Sequence, residues 1–517
     1  MDFIKTSRKE LKCGNETILL RSFGLGGWLL PEGYMWKLYK KCDRPRRMEE
    51  MILKLCGEEY SNYFWNRYFD CYITEEDIKF IATEGFNSVR LPLNARHMYS
   101  VIDGQVCLRE DTISRVDRLI EWCRRYEIYV ILDMHGAPGG QTGQNIDDSE
   151  DDIPRLFIEE QKQLELIELW KLLAKRYSNE KAVAGYDLLN EPLPNWFNEY
   201  NDQVLPLYRK LIDEIRKIDE NHMIILEGVH WATDFSIFDE FSVEEARNNI
   251  MLQFHKYWSN PDKESMQHLL DLQDKFNIPL FMGEGGENNC AWYTMMFPLY
   301  EKLNISWSFW SYKKMDCTNS PITFTIPKGW DQLIYWIDGN LELSSTHAKE
   351  IFDNFLQSIS NPSQNAEVIH ALKRSVPITI PAEAFDTHDI KSEKRTGAHF
   401  RITDPVSILF KNDKIGEVDY KRYGGEEEPV DENIVISLTK DDVVGYLFHH
   451  DKGEVLIEIV ADGEGIGLLS INENTFQFKI EGETTYCCSC IFDKQKRDEI
   501  KIKCLKGEIR IDTIKLT

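Results

Sequence analysis

Residues 182–192 read AVAGYDLLNEP, an apolar run that ends on an amide, a carboxylate and a proline. A continuous apolar run of this kind suits a parallel strand covered on both faces. Seven further runs share its character: Leu19–Leu25, Asn87–Leu91, Tyr129–Leu132, Met223–Leu226, Ile250–Phe254, Pro279–Met282 and Ile305–Trp310. Between most of them lie segments whose apolar residues return every three or four positions, the period of a half-buried helix. These are Glu75–Glu84, Thr112–Tyr126, Ile158–Tyr177, Tyr200–Ile218, Lys263–Phe276 and Tyr293–Leu303. Eight strands alternating with helices predict a (β/α)8 TIM barrel, an α/β fold, over about residues 15–360.

The pattern changes after Asn361-Pro362-Ser363. From there β-type runs follow one another without helices: Ile434–Leu438, Val443–His449, Glu454–Val460, Phe476–Ile480, Thr484–Cys490, Glu499–Cys504 and Glu508–Leu516. Strands at this density predict an all-β, jelly-roll-like sandwich. The expected domains are 1–370 for the barrel and 378–517 for the sandwich.

The chain of 517 residues carries 61 Lys and Arg against 87 Asp and Glu, a formal net charge of −26. So acidic a surface repels phosphate backbones and anionic lipid, so neither nucleic acid nor a membrane is an expected partner. The opening MDFIKTSRKELK is broken by charges and does not read as a secretory leader. The 12 cysteines are scattered and read as reduced thiols rather than a disulfide framework. Together these features predict a cytoplasmic protein, and they leave the oligomeric state open.

A barrel of this topology does its chemistry at the C-terminal ends of its strands. There the sequence places Arg90, Asp133-Met134-His135, Asn190-Glu191, His255-Lys256-Tyr257, Glu284 and Trp310. A single glutamate at a strand end is an ordinary solvated loop residue, and a lone histidine or tryptophan is ordinarily core. Two glutamates three strands apart on one barrel mouth are different. Glycosidic bond cleavage needs one protonated carboxyl to release the leaving oxygen and one carboxylate to meet the anomeric carbon. A cation such as Arg90 beside Glu284 holds that carboxylate ionised, and an indole such as Trp310 stacks on a sugar face.

At these residues the chain resembles glycoside hydrolase family five, within the clan of retaining (β/α)8 glycosidases. The motifs run in order: Gly24-Leu25-Gly26-Gly27-Trp28-Leu29, Gly85–Pro92, Leu132–Gly139, Leu189–Pro192, His255-Lys256-Tyr257, Gly283-Glu284 and Trp310. The resemblance implies Glu191 as acid/base, Glu284 as nucleophile and Asn190 on the sugar 2-hydroxyl. It implies Arg90, His135, His255 and Tyr257 orienting the glutamates and the −1 sugar, and Trp310 as the −1 platform. Gly26–Glu32 and His135–Gln141 look most like the exo-acting β-1,3-glucanase branch, where the glutamate matching Glu32 contacts the terminal sugar and stops the chain. An exo-acting retaining β-glycosidase on short β-linked oligosaccharides or glycosides is the leading expectation, with no metal or cofactor required. The alternatives are an endo-acting glucanase or mannanase, a metal-dependent hydrolase using Asp133, His135 and His255, and a carbohydrate-binding protein with a dead barrel. Two stretches depart from the glucanase pattern: the acidic TGQNIDDSEDD after Gln141, and the added segment Ser311–Trp330.

Ile380–Asp386 resembles the opening of jelly-roll carbohydrate-binding modules, and Val443–Tyr446 and Val455–Ala461 fit later strands. In such modules the glutamate matching Glu383 helps hold a calcium ion. All 13 tryptophans, however, lie at or before Trp336. Only rings such as Tyr420, Tyr423 and Tyr446 are left to stack on sugar, so a structural or oligomerising role is expected ahead of ligand binding. Cys487-Cys488-Ser489-Cys490 lacks the spacing of a zinc pair and is expected to be buried. The basic run at 37–47, with Lys37, Lys40, Lys41, Arg44, Arg46 and Arg47, is expected to be a solvated loop.

Overall fold

The eight apolar runs pair into a closed parallel barrel in the computed structural model of the chain, which describes residues 1–418, 420 and 433–517. Its strands are β1 (Arg21–Gly24), β2 (Ser88–Asn94), β3 (Tyr129–Gly136), β4 (Val183–Asp187), β5 (Met223–Glu227), β6 (Ile250–His255), β7 (Leu280–Gly286) and β8 (Ser306–Trp310). β8 pairs with β1 from Trp307–Arg21 to Phe309–Phe23 and closes the ring. Every residue of β2 to β8 is buried. One face packs under helices and the other fills the barrel, which is why the strands read as unbroken apolar runs. The bounds differ from the sequence reading at two places that matter. β2 continues to Asn94, so Arg90 sits inside the strand rather than at its end. β4 stops at Asp187, so Asn190 and Glu191 lie on the loop beyond it.

The N-terminal end of the barrel is sealed. Three short antiparallel strands, Ile4–Ser7, Glu10–Cys13 and Glu16–Ile18, fold beneath it. Ile4, Leu11 and Leu20 pack with Tyr129, Ala184, Met223, Met251 and Phe281 from the strands above. The Lys5 ammonium donates to the carbonyls of Glu220 and Asn221, at 2.8 and 2.5 Å. That leaves the C-terminal end for chemistry.

The segment after β8 is structural at its base. Lys313–Met315 pairs in parallel with Ile322–Phe324. Lys313 is buried: its ammonium meets Asp77 Oδ1 at 2.9 Å and donates to the Tyr72 carbonyl at 2.5 Å. Asp77 also accepts the backbone N–H of Thr74 (2.8 Å) at the start of helix Glu75–Thr83. One carboxylate therefore caps a helix and anchors the added loop.

The chain divides into two units. The barrel unit is Met1–Lys256, Asp271–Gly286 and Asn304–Gln364; the second is Tyr257–Leu270, Glu287–Leu303 and Asn365–Thr517. Helix Cys290–Lys302, which reads in sequence as a barrel helix, belongs to the second unit. There Arg374 donates through Nε to the Thr294 carbonyl and through Nη2 to the Ala384 carbonyl, both at 2.7 Å, and pairs with Asp386 at 2.5 Å.

The second unit carries an antiparallel β-sandwich: β9 (Ile378–Pro381), β10 (Thr387–Asp389), β11 (Ser407–Phe410), β12 (Ile434–Thr439), β13 (Val443–His450), β14 (Gly453–Ile471), β15 (Asn474–Glu481), β16 (Thr484–Phe492) and β17 (Lys496–Leu516). Two strands are far longer than the sequence suggests. Glu499–Cys504 and Glu508–Leu516, expected as two strands, are one. Residues 463–467, rich in glycine, lie inside β14 rather than after it. The reason is close backbone approach: Gly465 faces Gly507, and a Cβ on Gly507 would lie 2.0 Å from the Glu464 carbonyl oxygen. All twelve cysteines are free. Cys490 is buried as expected, but Cys487 is exposed, because residues three apart on a strand face opposite sides. Glu383 is buried with the Tyr420 hydroxyl at 3.3 Å, and among the described residues no group of three His, Cys, Asp or Glu side chains includes it. Tyr423 lies outside the described residues. Among those described, no helix is long and apolar enough to cross a membrane.

Candidate active site

Arg90 is the hub of the barrel's open end. Its Nε donates to Asp187 Oδ2 on β4 at 2.8 Å, and its Nη1 to Glu284 Oε1 on β7 at 2.5 Å. Its Nη2 donates to Asn190 Oδ1 at 2.8 Å and Glu227 Oε1 on β5 at 3.1 Å, and lies 3.2 Å from Asp133 Oδ1 on β3. A rigid fork with five donors is suited to holding this many acceptors at once. Register delivers the partners: Asp133 pairs with Asp187, Gln253 with Glu227, and His255 with Glu284 across neighbouring strands.

Glu191 and Glu284 meet at His255. Its Nδ1 donates to Glu191 Oε1 at 2.6 Å and lies 3.6 Å from Glu284 Oε2. An oxygen of each glutamate and a nitrogen of His255 all lie within 4.8 Å of one another. Glu191 sits at φ 43°, a left-handed conformation that is uncommon for a side chain of its type. What holds it there is Glu227, whose Oε2 accepts the Glu191 backbone N–H at 2.7 Å.

Five carboxyl groups cannot all be ionised in so buried a place. Burial pushes Asp133 up to about 8 and Asp187 well above the ordinary range, despite the pull of Arg90. Among the described residues Asp187 Oδ1 makes no hydrogen bond, and Asp133 Oδ1 has only the Arg90 guanidinium near it, at 3.2 Å. Burial likewise holds His135 down to about 4, so it is a neutral ring at pH 7. Asn190 Nδ2 is directed at its Nε2 (3.4 Å), leaving Nδ1–H to donate to Asp133 Oδ2 at 2.8 Å. His255 goes the other way. Burial opposes its charge, but the Glu284, Glu227 and Glu191 carboxylates outweigh that and raise it well above the usual value. Glu227 is lowered, because His255 and Arg90 outweigh its burial. Glu284 is raised: burial outweighs the His255, Arg90 and His135 charges that favour its ionised form. The expected Arg90–Glu284 contact is present, yet it does not by itself set the balance. Arg90 and His255 are thus the two positively charged groups that face Glu227 and Glu284.

The walls come next. The Trp310 ring lies parallel to His135, 5.3 Å between centroids at 9°. Its indole N–H donates to the Tyr34 hydroxyl at 2.9 Å. Cβ atoms on Gly24 and Gly26 would come within 2.5 and 2.8 Å of that indole, so these glycines make its room. Glu32 is 2% exposed, two residues before Tyr34. Tyr257 follows β6 directly but belongs to the second unit, where its ring lies 5.7 Å from that of Trp258.

The acidic stretch after Gln141 and the basic run before Arg47 turn out to be two halves of one structure. Gln141 Nε2 donates to the carbonyls of His135 (2.7 Å) and Asn190 (2.9 Å), tying the ends of two strands together. Asp147 folds the loop by accepting the Thr142 N–H (2.7 Å), the Thr142 hydroxyl (2.8 Å) and the Ser149 N–H (2.9 Å). Arg44, expected in solvent, is buried and reaches Asp152 at 2.8 Å and Asp43 at 3.0 Å. Arg47 reaches Asp152 at 2.8 Å, and Asp148 takes the Arg46 backbone N–H at 2.8 Å. Opposite charges that are separate in sequence neutralise each other in space.

Sequence reading missed Asp187, Glu227, Gln253 and Tyr34. Gln253 Nε2 donates to Asp187 Oδ2 at 3.0 Å and to Glu227 Oε1. A Cβ on Gly283 would lie 2.1 Å from the Gln253 amide carbon, so the glycine before Glu284 clears its place. The one available signal was a polar residue inside each otherwise apolar strand. Asp133, His135 and Glu284, like Glu191, His255 and Glu284, bring ligand-type atoms together. Arg90 already supplies a positive charge against Glu284 and Asp133 in both groups' surroundings, where a metal cation would meet its repulsion.

The chain matches the family model for cellulase (glycosyl hydrolase family 5) over residues 53–316. A beta-xylosidase of Phanerodontia chrysosporium is 32% identical over 259 residues, 50% of this chain and 52% of that protein. The chain therefore spans about half the length of that relative. An endoglucanase C of Acetivibrio thermocellus is 26% identical over 314 residues, 49% of this chain and 88% of the other. The crystal structure of an endogalactoceramidase shares the fold over 99% of this chain and 100% of its own, at 14% identity and a TM-score of 0.50. The family match covers the strands that carry Arg90, Asp133, His135, Glu227, Gln253, Glu284 and Trp310, and the chain belongs to glycosyl hydrolase family 5.

Proposed function

We propose that the protein is a retaining β-glycosidase in which Glu284 is the nucleophile and Glu191 the acid/base. The observation that carries this reading is that Glu191 and Glu284 face one another across a single ring, with His255 Nδ1 2.6 Å from Glu191 Oε1 and 3.6 Å from Glu284 Oε2. Retaining pairs sit roughly 5–5.5 Å apart, whereas inverting pairs need about 6.5–9.5 Å to admit a water. A Glu284 oxygen attacks the anomeric carbon as the bond to the leaving oxygen breaks, and Glu191 supplies the proton that the leaving oxygen takes up. Water then gives a proton to Glu191 and attacks the same carbon. The glycosyl ester opens, and the sugar leaves with its configuration retained.

The surroundings divide the labour. Arg90 and protonated His255 stabilise the Glu284 carboxylate electrostatically. His255 Nδ1–H occupies one oxygen of Glu191, which leaves the other to carry the transferable proton. Asn190, pinned by Arg90, presents its amide to the 2-hydroxyl, and Trp310 backs the −1 sugar. Glu32 is buried two residues before Tyr34, whose hydroxyl takes the Trp310 indole N–H, and we assign it the role of chain-end stop. That makes the enzyme exo-acting on short β-linked oligosaccharides or glycosides.

Turnover of a panel of aryl β-glycosides, with laminari- and cello-oligosaccharides alongside, tests the reading. Release of single sugars, lost in Glu284→Gln, is the expected result. Mid-chain cuts with no release of single sugars would remove the role given to Glu32. Activity persisting in Glu284→Gln would remove the nucleophile.

A further inference from the structure

Among the described residues, β9, β10, β11, β15 and β16 of the sandwich each pair with a single neighbouring strand. Such an edge offers unpaired N–H and C=O groups to any approaching strand, and native edges are blunted by brevity, charge, proline or a bulge. Four of these edges are blunted. β9 ends in Pro381, and β9, β10 and β11 are only three or four residues long. β15 is longer, but the residues it exposes include Lys479 and Glu481.

β16 has none of these protections. It reads TTYCCSCIF, nine residues without a charge, a proline or a glycine. Its register with β14 runs unbroken from Thr484–Ala461 to Phe492–Gly453, so no bulge bends it away. Thr485, Cys487, Ser489 and Ile491 are exposed, Ile491 by 73%, and Leu456 of β14, opposite Ser489, is exposed by 41%. The nearest acids on β14, Glu454 and Glu458, lie one strand in from the edge, and Glu458 faces Lys515 at 3.7 Å. The chain carries a net charge of −26, which keeps copies apart over most of the surface. Along β16 that repulsion is weakest. The flanks of the strand differ in sign. Glu481 and Glu483 stand before it; Asp493, Lys494, Lys496 and Arg497 follow it. Glu481 is paired with Lys479, and Lys496 with Asp498 at 2.7 Å. That leaves Glu483 at an acidic end, and Lys494 and Arg497 against Asp493 at a basic one.

We propose that β16 is a self-association edge: two copies of the chain pair their β16 strands antiparallel about a twofold axis. An isologous contact of this kind uses the same patch on both copies and closes on itself. Main-chain hydrogen bonds supply the attraction, as in other strand additions, and the exposed Ile491 and Leu456 lie beside the seam. Charge selects the direction. An antiparallel pair sets the acidic end of each copy beside the basic end of its partner, whereas a parallel pair would set like beside like. The partner is therefore a second copy of this chain, reached through the sandwich, and the proposal is independent of the glycosidase chemistry.

The test is sedimentation velocity of the full chain, with reductant, over a series of micromolar concentrations. The wild type should pass from one-chain to two-chain mass as concentration rises. Ser489→Lys and Ile491→Lys place a charge on the exposed side of the edge and should each raise the midpoint concentration roughly ten-fold or more. Gln477→Lys, on the β15 edge, should leave it unchanged. Hydrogen exchange on the wild type reads the same contact without a mutation: amides of 484–492 should exchange more slowly at high protein concentration than at low, and those of 474–481 should not change. One-chain mass at every concentration overturns the proposal. So does a dimer that the two lysine variants leave intact, since its contact then lies elsewhere. A dimer that forms only without reductant also overturns it, in favour of a disulfide through the exposed Cys487.

Discussion

Glu227 is a third glutamate with no chemical task of its own, and its replacement is the most informative single change. It accepts from the Glu191 backbone and Arg90 at 2.7 and 3.1 Å and also from Gln253, and it faces His255 Nε2 at 3.5 Å. Glu227→Gln keeps the shape and removes one buried negative charge. At 3.5 Å and an effective dielectric near 20, the pairing with His255 is about 5 kcal/mol before compensation. Breaking one side of such a buried pair costs about 3 kcal/mol of stability. His255 is raised by its carboxylate neighbours, so losing one moves its proton loss to lower pH. The alkaline limb of kcat/KM on an aryl β-glycoside should then shift down by at least about one pH unit, given about 1.4 kcal/mol per unit. The rate at the optimum should fall by up to about 10²-fold, because glutamine accepts at only one of the two oxygen positions and sets an NH2 against either the Glu191 N–H or the Arg90 and Gln253 donors. The assay is a pH–rate profile with a melting curve for each protein. A wild-type alkaline limb together with a wild-type melting curve would refute the assignment of Glu227 as the residue that charges His255 and positions Glu191.

Three further outcomes follow from the same geometry. Glu284 attacks as a carboxylate, and burial raises it above the ordinary glutamate range; kcat/KM should therefore fall, as pH drops, through a value above that range, and a limb within or below it would contradict the burial argument. Gly283→Ala puts a methyl group 2.1 Å from the Gln253 amide carbon; it should cost roughly 1–3 kcal/mol in a denaturant titration and depress kcat, whereas a neutral result would mean Gln253 is free to move. Arg44→Met removes a buried guanidinium from between Asp43 and Asp152 and leaves Arg47 as their partner; stability should drop by about 1 kcal/mol with a rise in KM, and an unchanged KM would separate that loop from the site.

The barrel was legible because each strand is buried on both faces, and so each prints an apolar run with a sharp end. Glu191 and Glu284 were legible for the same reason: each stands where a run stops. Asp187, Glu227 and Gln253 were not. Each is one polar residue within or at the edge of an apolar strand, and only closure of the barrel shows that the three face one another. The run Met223–Leu226 stops one residue short of Glu227. The pairing of the basic run with the acidic loop was hidden by distance, since Arg44 and Asp152 lie more than a hundred residues apart. The long strands of the sandwich misled in another way. Glycine ordinarily punctuates strands, but Gly465 and Gly507 serve close backbone approach inside continuous ones.

The anomeric configuration of the first sugar released from an aryl β-glycoside, followed by NMR before mutarotation, tests double displacement at Glu284 most directly. Retention requires the β anomer to appear first, and appearance of the α anomer first would mean that a water, and not Glu284, attacks the anomeric carbon.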